Sequence, residues 1–256
     1  MSYDYDDFSI KKYKEKYLKY KKKYFSLPTT QHGGMHNYVS SIFNINEIPM
    51  FDRIKYVKQS GIAGYINHRE DSQSASQYSR YDHSIDVANL TYYLMTYKSD
   101  KVYSDEQKKL YTFTSLIHDI QHPAFSHVID QIFGQDLQKN FRSIILDKMK
   151  PYLSSISIDI NNLIDDGGNP LVKILKAPWS ELNTDRIDYT IKDSHLDIND
   201  FLPYLRVNND DIIYCTSIDV AKKLSYALYN LSLKWKSPKN LGEQIVFSRI
   251  LRSYIK

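Results

Sequence analysis

From residue 40 onward, apolar positions recur along the chain at helical spacing. Residues 47–60 carry Ile48, Phe51, Ile54 and Val57 and stop at Gly61, a pattern that predicts a helix. Residues 67–79 are polar and predict a loop. Helices follow over 82–97 and 105–121, the second with a core stripe of Leu110, Phe113, Ile117 and Ile120. Pro123 ends it, because the residue before a proline is driven out of the α region. Segments 127–150, 171–176, 184–194, 217–234 and 240–255 complete the helical set. Two short β-prone runs, Tyr65-Ile66 and Ile212–Tyr214, are candidates to pair as a ribbon. No strand–helix alternation predicts a parallel sheet. The expected fold class is mainly α, a helical bundle with at most a small β-ribbon.

A different pattern precedes this body. Over residues 8–25, Tyr13, Tyr17, Tyr20 and Tyr24 form a heptad-like stripe on a lysine-rich helix. Pro28, Thr29-Thr30 and Gly33-Gly34 then break it, which divides the chain into a leader and linker (1–36) and a main domain (37–256). Residues 1–24 hold eight lysines against four acidic residues, so the leader carries the whole net charge of +4 and the body sums to zero. The body therefore offers no phosphate-backbone footprint. The leader reads either as a solvated appendage or as an arm for a nucleic-acid or protein partner, since basic and aromatic residues interleave. It resembles Lys/Tyr-rich leaders ending in Gly-Gly in proteins of giant DNA viruses, which would make the partner a virion component.

Composition narrows the class further. The eight Gly and eight Pro among 256 residues leave little material for a turn-rich all-β fold. The 23 Tyr, with abundant Lys, Ile, Asn and Asp, read as coding bias from an AT-rich genome. Cys215 is the single cysteine, so no internal disulfide forms, which fits a reducing compartment. No apolar run approaches the roughly 18 residues of a membrane-spanning helix, and no secretory signal is present. An intracellular, soluble protein with no membrane association is expected.

The candidate chemistry lies in the body. Three of the eight histidines, His118, His122 and His127, fall within ten residues, and Asp119 follows His118. His118 and His122 are four apart, so on one helix they would share a face. An isolated His-Asp pair carries no information at this composition, but its surroundings do. His83 stands upstream in Arg80-Tyr81-Asp82-His83-Ser84. Asp185 opens a downstream helix with Arg186, Asp188, Tyr189, Lys192 and Asp193. A near-neutral body that gathers these groups on apolar-backed helices must pair them or place a cation among them. Imidazole with carboxylate suits Mn, Fe, Zn, Ni or Co better than Mg.

In this order, His83, His118-Asp119 and Asp185 resemble the H…HD…D signature of the HD-domain phosphohydrolases. RYDHSIDVANL (80–90), LIHDIQHPAFSH (116–127) and TDRIDYTIKDSHL (184–196) are similar to the dNTP triphosphohydrolase branch, which includes the sterile-alpha-motif-and-HD enzyme and bacterial dGTPases. IPMFDRIKYVKQSG (48–61) is similar to that branch's helix ending in Lys-Gln-Leu-Gly. The resemblance covers residues 40 to about 200 and continues weakly to the end. It implies an HD-domain bundle over 37–256 and one divalent transition metal held by His83, His118, Asp119 and Asp185. It implies proton transfer by His127 and Asp130 and a phosphate contact by His122. Arg80 and Arg186 match basic residues set against a triphosphate. Gln59, Tyr189 and Asp193 match groups that hold the sugar.

One departure stands out. Lys139-Asn140 occupies the place where the family carries His-Glu, two residues before Arg142-Ser143. Lysine is a weak general acid near neutral pH unless its pKa is strongly depressed. Segments matching the nucleotide-gated assembly sites of larger members are not seen, so the resemblance leaves any homo-oligomer of another kind. The expected activity is hydrolysis of a dNTP to deoxynucleoside and triphosphate. The alternatives are another HD phosphohydrolase, acting on a nucleoside monophosphate, cyclic nucleotide or alarmone, and a catalytically impaired nucleotide-binding scaffold.

Overall fold

A reciprocal capping box starts the central helix of the protein. In the computed structural model, which describes residues 38–61, 78–125, 127–133, 136–159, 161 and 172–254, the Ser79 hydroxyl accepts the Asp82 amide. The Asp82 carboxylate in turn accepts the Ser79 amide. In chain order, α1 is Tyr38–Ile42, α2 is Arg80–Tyr97 and α3 is Asp105–Ile117. Helices α4 (His127–Phe133), α5 (Asp136–Ser155), α6 (Thr184–Asp193), α7 (Ile218–Trp235) and α8 (Pro238–Tyr254) follow. Ser104 and Gln107 form the same box at the head of α3, and Pro238 opens α8 where its missing N–H costs nothing.

Helix α2 is buried on several faces because it packs against α3, α6, the preceding 3-10 turn and the ribbon. Its polar residues Arg80, His83, Ser84, Asn89 and Thr91 are as buried as Val87 and Leu94. The main core gathers Phe51, Ile54, Phe113, Leu116, Ile145 and Met149 between the 3-10 turn, α3 and α5. Each such side chain contributes about 1.5–3 kcal/mol on burial. The expected mainly-α class with a two-stranded ribbon is borne out.

Several boundaries differ from expectation, each for a local reason. Residues 47–60 are not an α-helix but two 3-10 turns, Ile45–Glu47 and Phe51–Tyr56. Pro49 cannot donate a helical hydrogen bond, and Met50 takes a left-handed φ of 65°. The spacing of Ile48, Phe51, Ile54 and Val57 is a strict three, the period of a 3-10 helix, and all four are buried. Helix α3 ends at Ile117 rather than 121, and residues 118–122 form turns. The expected helix over 127–150 is split into α4 and α5. Burial of Met149 and Leu153 carries α5 past Pro151 to Ser155. Segment 172–176 makes a single turn closed on the Val172 carbonyl rather than a helix.

The ribbon pairs β1 (Leu205–Val207) with β2 (Ile213–Cys215), antiparallel, with Arg206 opposite Tyr214. The expected strand at Ile212–Tyr214 therefore has a neighbour in sequence as its partner, which is the cheaper loop to close. The Asn208 side chain accepts the amides of Asp210 and Ile212 to close it. Tyr65-Ile66 and the leader lie outside the described residues. All described residues belong to one unit, His36–Lys256. Among them no helix is long and apolar enough to cross a membrane.

Candidate metal centre

His83 projects from the first turn of α2 and is fully buried, with 0% exposure. Its Nδ1 lies 2.6 Å from Asp188 Oδ2 and its Nε2 lies 3.0 Å from Asp185 Oδ1. Both carboxylates come from α6, whose start is set by Asn183; the Asn183 side chain accepts the Arg186 amide at 2.7 Å. Lys192 Nζ donates to Asp188 at 2.9 Å and to Asp86 on α2 at 2.6 Å. The two helices are thus joined through Asp86, Lys192, Asp188 and His83. Burial acts to lower the His83 pKa, but the bonded carboxylates of Asp185 and Asp188 outweigh it and raise it to about 9.

His118, Asp119 and His122 occupy the turn after α3. His118 Nδ1 donates to the Ser115 carbonyl at 2.7 Å, which leaves Nε2 as the nitrogen with the lone pair. That Nε2 is buried and makes no hydrogen bond. It lies 3.6 Å from Asp119 Oδ1 and 3.7 Å from Asp185 Oδ1. Asp119 is paired with the Arg80 guanidinium, and His122 Nε2 lies 3.3 Å from its Oδ1. Burial opposes ionisation of Asp119, yet the Arg80 charge, with His118 and His122 beside it, holds its pKa well below the usual carboxylate range. The expectation that His118 and His122 share one helical face is corrected: the helix has ended, and they meet because both approach Asp119.

One ligand atom from each of His83, His118 and Asp119 lies within 4.8 Å of the others. Ligands held about 2.1 Å from a common ion are separated by roughly 3–4 Å; the Asp119 oxygens lie 3.9 Å from His83 Nε2 and 3.6 Å from His118 Nε2. A buried imidazole nitrogen with a lone pair and no proton donor is the atom a Lewis acid would satisfy. The buried His83–His118–Asp119 group can hold a metal ion, and Asp185 lies against both of its imidazoles.

The other predicted residues are distributed around this point. Arg80 sits at the centre through Asp119. Gln59 receives Arg80 on its carbonyl at 3.5 Å, and its side-chain Oε1 is buried without a hydrogen bond. Asp193 accepts the Tyr78 hydroxyl at 3.2 Å, and the Tyr189 ring lies 5.6 Å from Trp235. The Arg186 guanidinium is held by the Pro178 and Glu181 carbonyls and lies over Trp179. The side chains of His127, Asp130 and Lys139 lie outside the described residues. Sequence reasoning assigned no role to Asp188 or Tyr78. Asp188 stands three residues after Asp185, so a second carboxylate on that helical face was the available signal. Nothing in the sequence around Tyr78 marked it.

No family model matches the chain. The uncharacterized protein YwfO of Bacillus subtilis (strain 168) is 23% identical over 222 residues, 78% of this chain and 49% of that protein. The uncharacterized protein YdhJ of the same organism is 29% identical over 169 residues, 61% of this chain and 46% of that protein. The uncharacterized protein MJ1154 of Methanocaldococcus jannaschii is 25% identical over 151 residues, 57% of this chain and 28% of that protein. The chain spans about half, or less, of the length of these relatives.

Proposed function

We propose that the protein is an HD-type, metal-dependent phosphohydrolase acting on nucleotides, with a dNTP as substrate and deoxynucleoside and triphosphate as products. The observation that carries this reading is the buried, unbonded His118 Nε2 among His83, Asp119 and Asp185, in the order of the HD signature. A divalent transition ion held there supplies Lewis-acid activation of a phosphoryl oxygen and of water. Asp188 holds the His83 ring by its Nδ1, and Ser115 does the same for His118; His118 Nε2 is left for the ion, and His83 Nε2 would exchange its bond to Asp185 for one. Arg80, on Asp119, brings a permanent positive charge to the site, where phosphate charge must be offset. His122, beside Asp119, is within reach of the same region.

A second reading within the same superfamily has its own support. One guanidinium nitrogen of Arg186 is held by two backbone carbonyls and the group lies over Trp179, which fixes this cation in the scaffold and leaves Arg80 as the cation set on the site. A monophosphate, cyclic nucleotide or alarmone needs fewer cations than a triphosphate. The test is to load purified protein with Mn2+, incubate it with each dNTP, nucleoside monophosphate and cyclic nucleotide, and separate the products. Free triphosphate supports the dNTP reading, and orthophosphate or a ring-opened product supports the second. No turnover of any substrate by protein that binds both metal and nucleotide supports the impaired scaffold, to which Lys139 points.

A further inference from the structure

Two arginines outside the predicted site grip the backbone that carries the candidate ligands. Arg53, on the 3-10 turn Phe51–Tyr56, donates through one guanidinium nitrogen to the His122 carbonyl at 2.8 Å and through the other to the Ile120 carbonyl. Its guanidinium carbon lies 4.9 Å from the centre of the Phe141 ring on α5. The next residue on α5, Arg142, donates to the His118 carbonyl at 3.0 Å. Three carbonyls of the five-residue turn 118–122 are therefore taken by guanidinium groups from two other elements.

The consequence is geometric. The last carbonyls of a helix need partners, and one way to provide them is to continue the helix. Here the turn closes by short bonds, Ile120 amide to Ile117 carbonyl and His122 amide to Asp119 carbonyl. The arginines accept the role that later amides would play in a continued helix. In the turn, His118 Nε2 and Asp119 Oδ1 are 3.6 Å apart, and the carbonyls bonded by the arginines belong to the backbone that carries both. Only the planar fork of arginine reaches two carbonyls of one turn while stacking on a ring.

We infer that Arg53 and Arg142 are positioning residues of the metal centre, acting through the His118, Ile120 and His122 carbonyls to hold His118 and Asp119 where they converge on His83. The inference rests on the reading of this site as a metal site. It gives a role to Arg142, which the sequence marked only as half of an Arg-Ser pair.

The test uses the full chain and Co2+, whose visible absorption reports ligand geometry. Wild type, Arg53→Lys, Arg142→Lys and His118→Ala are titrated with Co2+, and each metal-free protein is melted. Arg53→Lys keeps the charge but loses the fork. It should bind Co2+ about 10- to 100-fold more weakly with an altered spectrum, while its metal-free Tm stays within a few degrees of wild type. Arg142→Lys should show the same spectral change with a smaller loss. Amide exchange across 118–122 should quicken in both metal-free variants. Wild-type affinity, spectrum and exchange in both lysine variants overturn the positioning role alone, provided wild type binds and His118→Ala does not. A loss of affinity matched by general melting of both variants also overturns it, since the arginines would then be ordinary scaffold. No Co2+ uptake by wild type sinks the metal reading and the inference with it.

Discussion

Two carboxylates, the buried Asp119 and the half-buried Asp211, sit in similar company and come out differently. Asp211, in the hairpin loop between β1 and β2, pairs with Lys101 Nζ at 2.7 Å and accepts the Tyr103 hydroxyl. Lys101 also lies over the Tyr103 ring and reaches the Asn209 carbonyl. One cation there answers one anion. Among the described residues, the network joined to Asp119 by hydrogen bonds and ion pairs contains four carboxylates, Asp86, Asp119, Asp185 and Asp188, against two permanent cations, Arg80 and Lys192. Its carboxylates raise the His83 pKa to about 9, and the same negative charge suits a divalent ion. The closed network reads as scaffold and the open one as a site.

Asp119→Ala should break this contrast most strongly. It removes a candidate ligand and leaves Arg80 without its carboxylate. Wild type should gain about 2.7 kcal/mol of stability at an ion concentration of about 100 times Kd, seen as a rise in Tm with Mn2+, Co2+ or Zn2+. The variant should show no such rise and no turnover. An ion-dependent rise that survives Asp119→Ala places the ion elsewhere.

Asp188→Asn sharpens the comparison with a smaller change. The amide keeps the shape and can still accept from His83 Nδ1, but its charge on the imidazole and on Lys192 is lost. Metal affinity should fall about 10- to 100-fold, or about 1.4–2.7 kcal/mol, with the spectrum of bound Co2+ largely retained. Isothermal titration of both proteins measures it. Unchanged affinity would make Asp188 a partner of Lys192 only.

What the sequence made legible divides along the same line. The helices are legible where apolar spacing is sustained, as over 82–97 and 217–234, while their caps, Ser217 before α7 and Pro238 at the head of α8, come from the structure. The His83–His118–Asp119 group is legible through the order H…HD…D and the resemblance of the flanking motifs to HD-domain phosphohydrolases, not through the His-Asp pair by itself. The end of α3 is not legible, since it is decided by Arg53 and Arg142, remote in sequence from the carbonyls they take. Asp188 stands on the helical face of Asp185, but its target, His83, is 105 residues away, so the sequence shows the carboxylate and not its role. The spacing of three from Ile48 to Val57 fits either kind of helix, and Pro49 with the left-handed Met50 decides for the 3-10 turn. Tyrosine abundance reads as compositional bias, yet Tyr103 is only 2% exposed and bonded to Asp211.

Asp211→Asn tests the closed network. Asp211 has a left-handed φ of 66°, which asparagine tolerates, so no strain is added. The lost ion pair is partly exposed and should cost about 1 kcal/mol of unfolding free energy in urea. Metal affinity should not change. A matching loss of metal affinity would show that the two networks are coupled through α2 and that the contrast between them is false.

The smallest effect at neutral pH belongs to Tyr103→Phe, which should cost about 0.5 kcal/mol by removing one hydrogen bond to a carboxylate that keeps Lys101. Its signature lies in pH. Burial, followed by the bond to the Asp211 carboxylate, raises the Tyr103 pKa above its ordinary value. A group whose pKa is raised by folding stabilises the protein fully below its unfolded pKa, about 10 for tyrosine. That contribution is lost as pH climbs from there toward the folded value, by up to about 1.4 kcal/mol per pH unit. Tyrosines with raised pKa values away from this cluster, such as Tyr152, titrate equally in both proteins. The difference between wild type and Tyr103→Phe therefore reports the Tyr103 phenol together with its effect on the neighbouring Tyr111. Urea midpoints measured from pH 8 to pH 11 should start with wild type ahead, converge above pH 10 and then cross. Parallel decline of the two curves would mean that Tyr103 is not held as a neutral donor to Asp211, and the closed network would lose the bond that closes it.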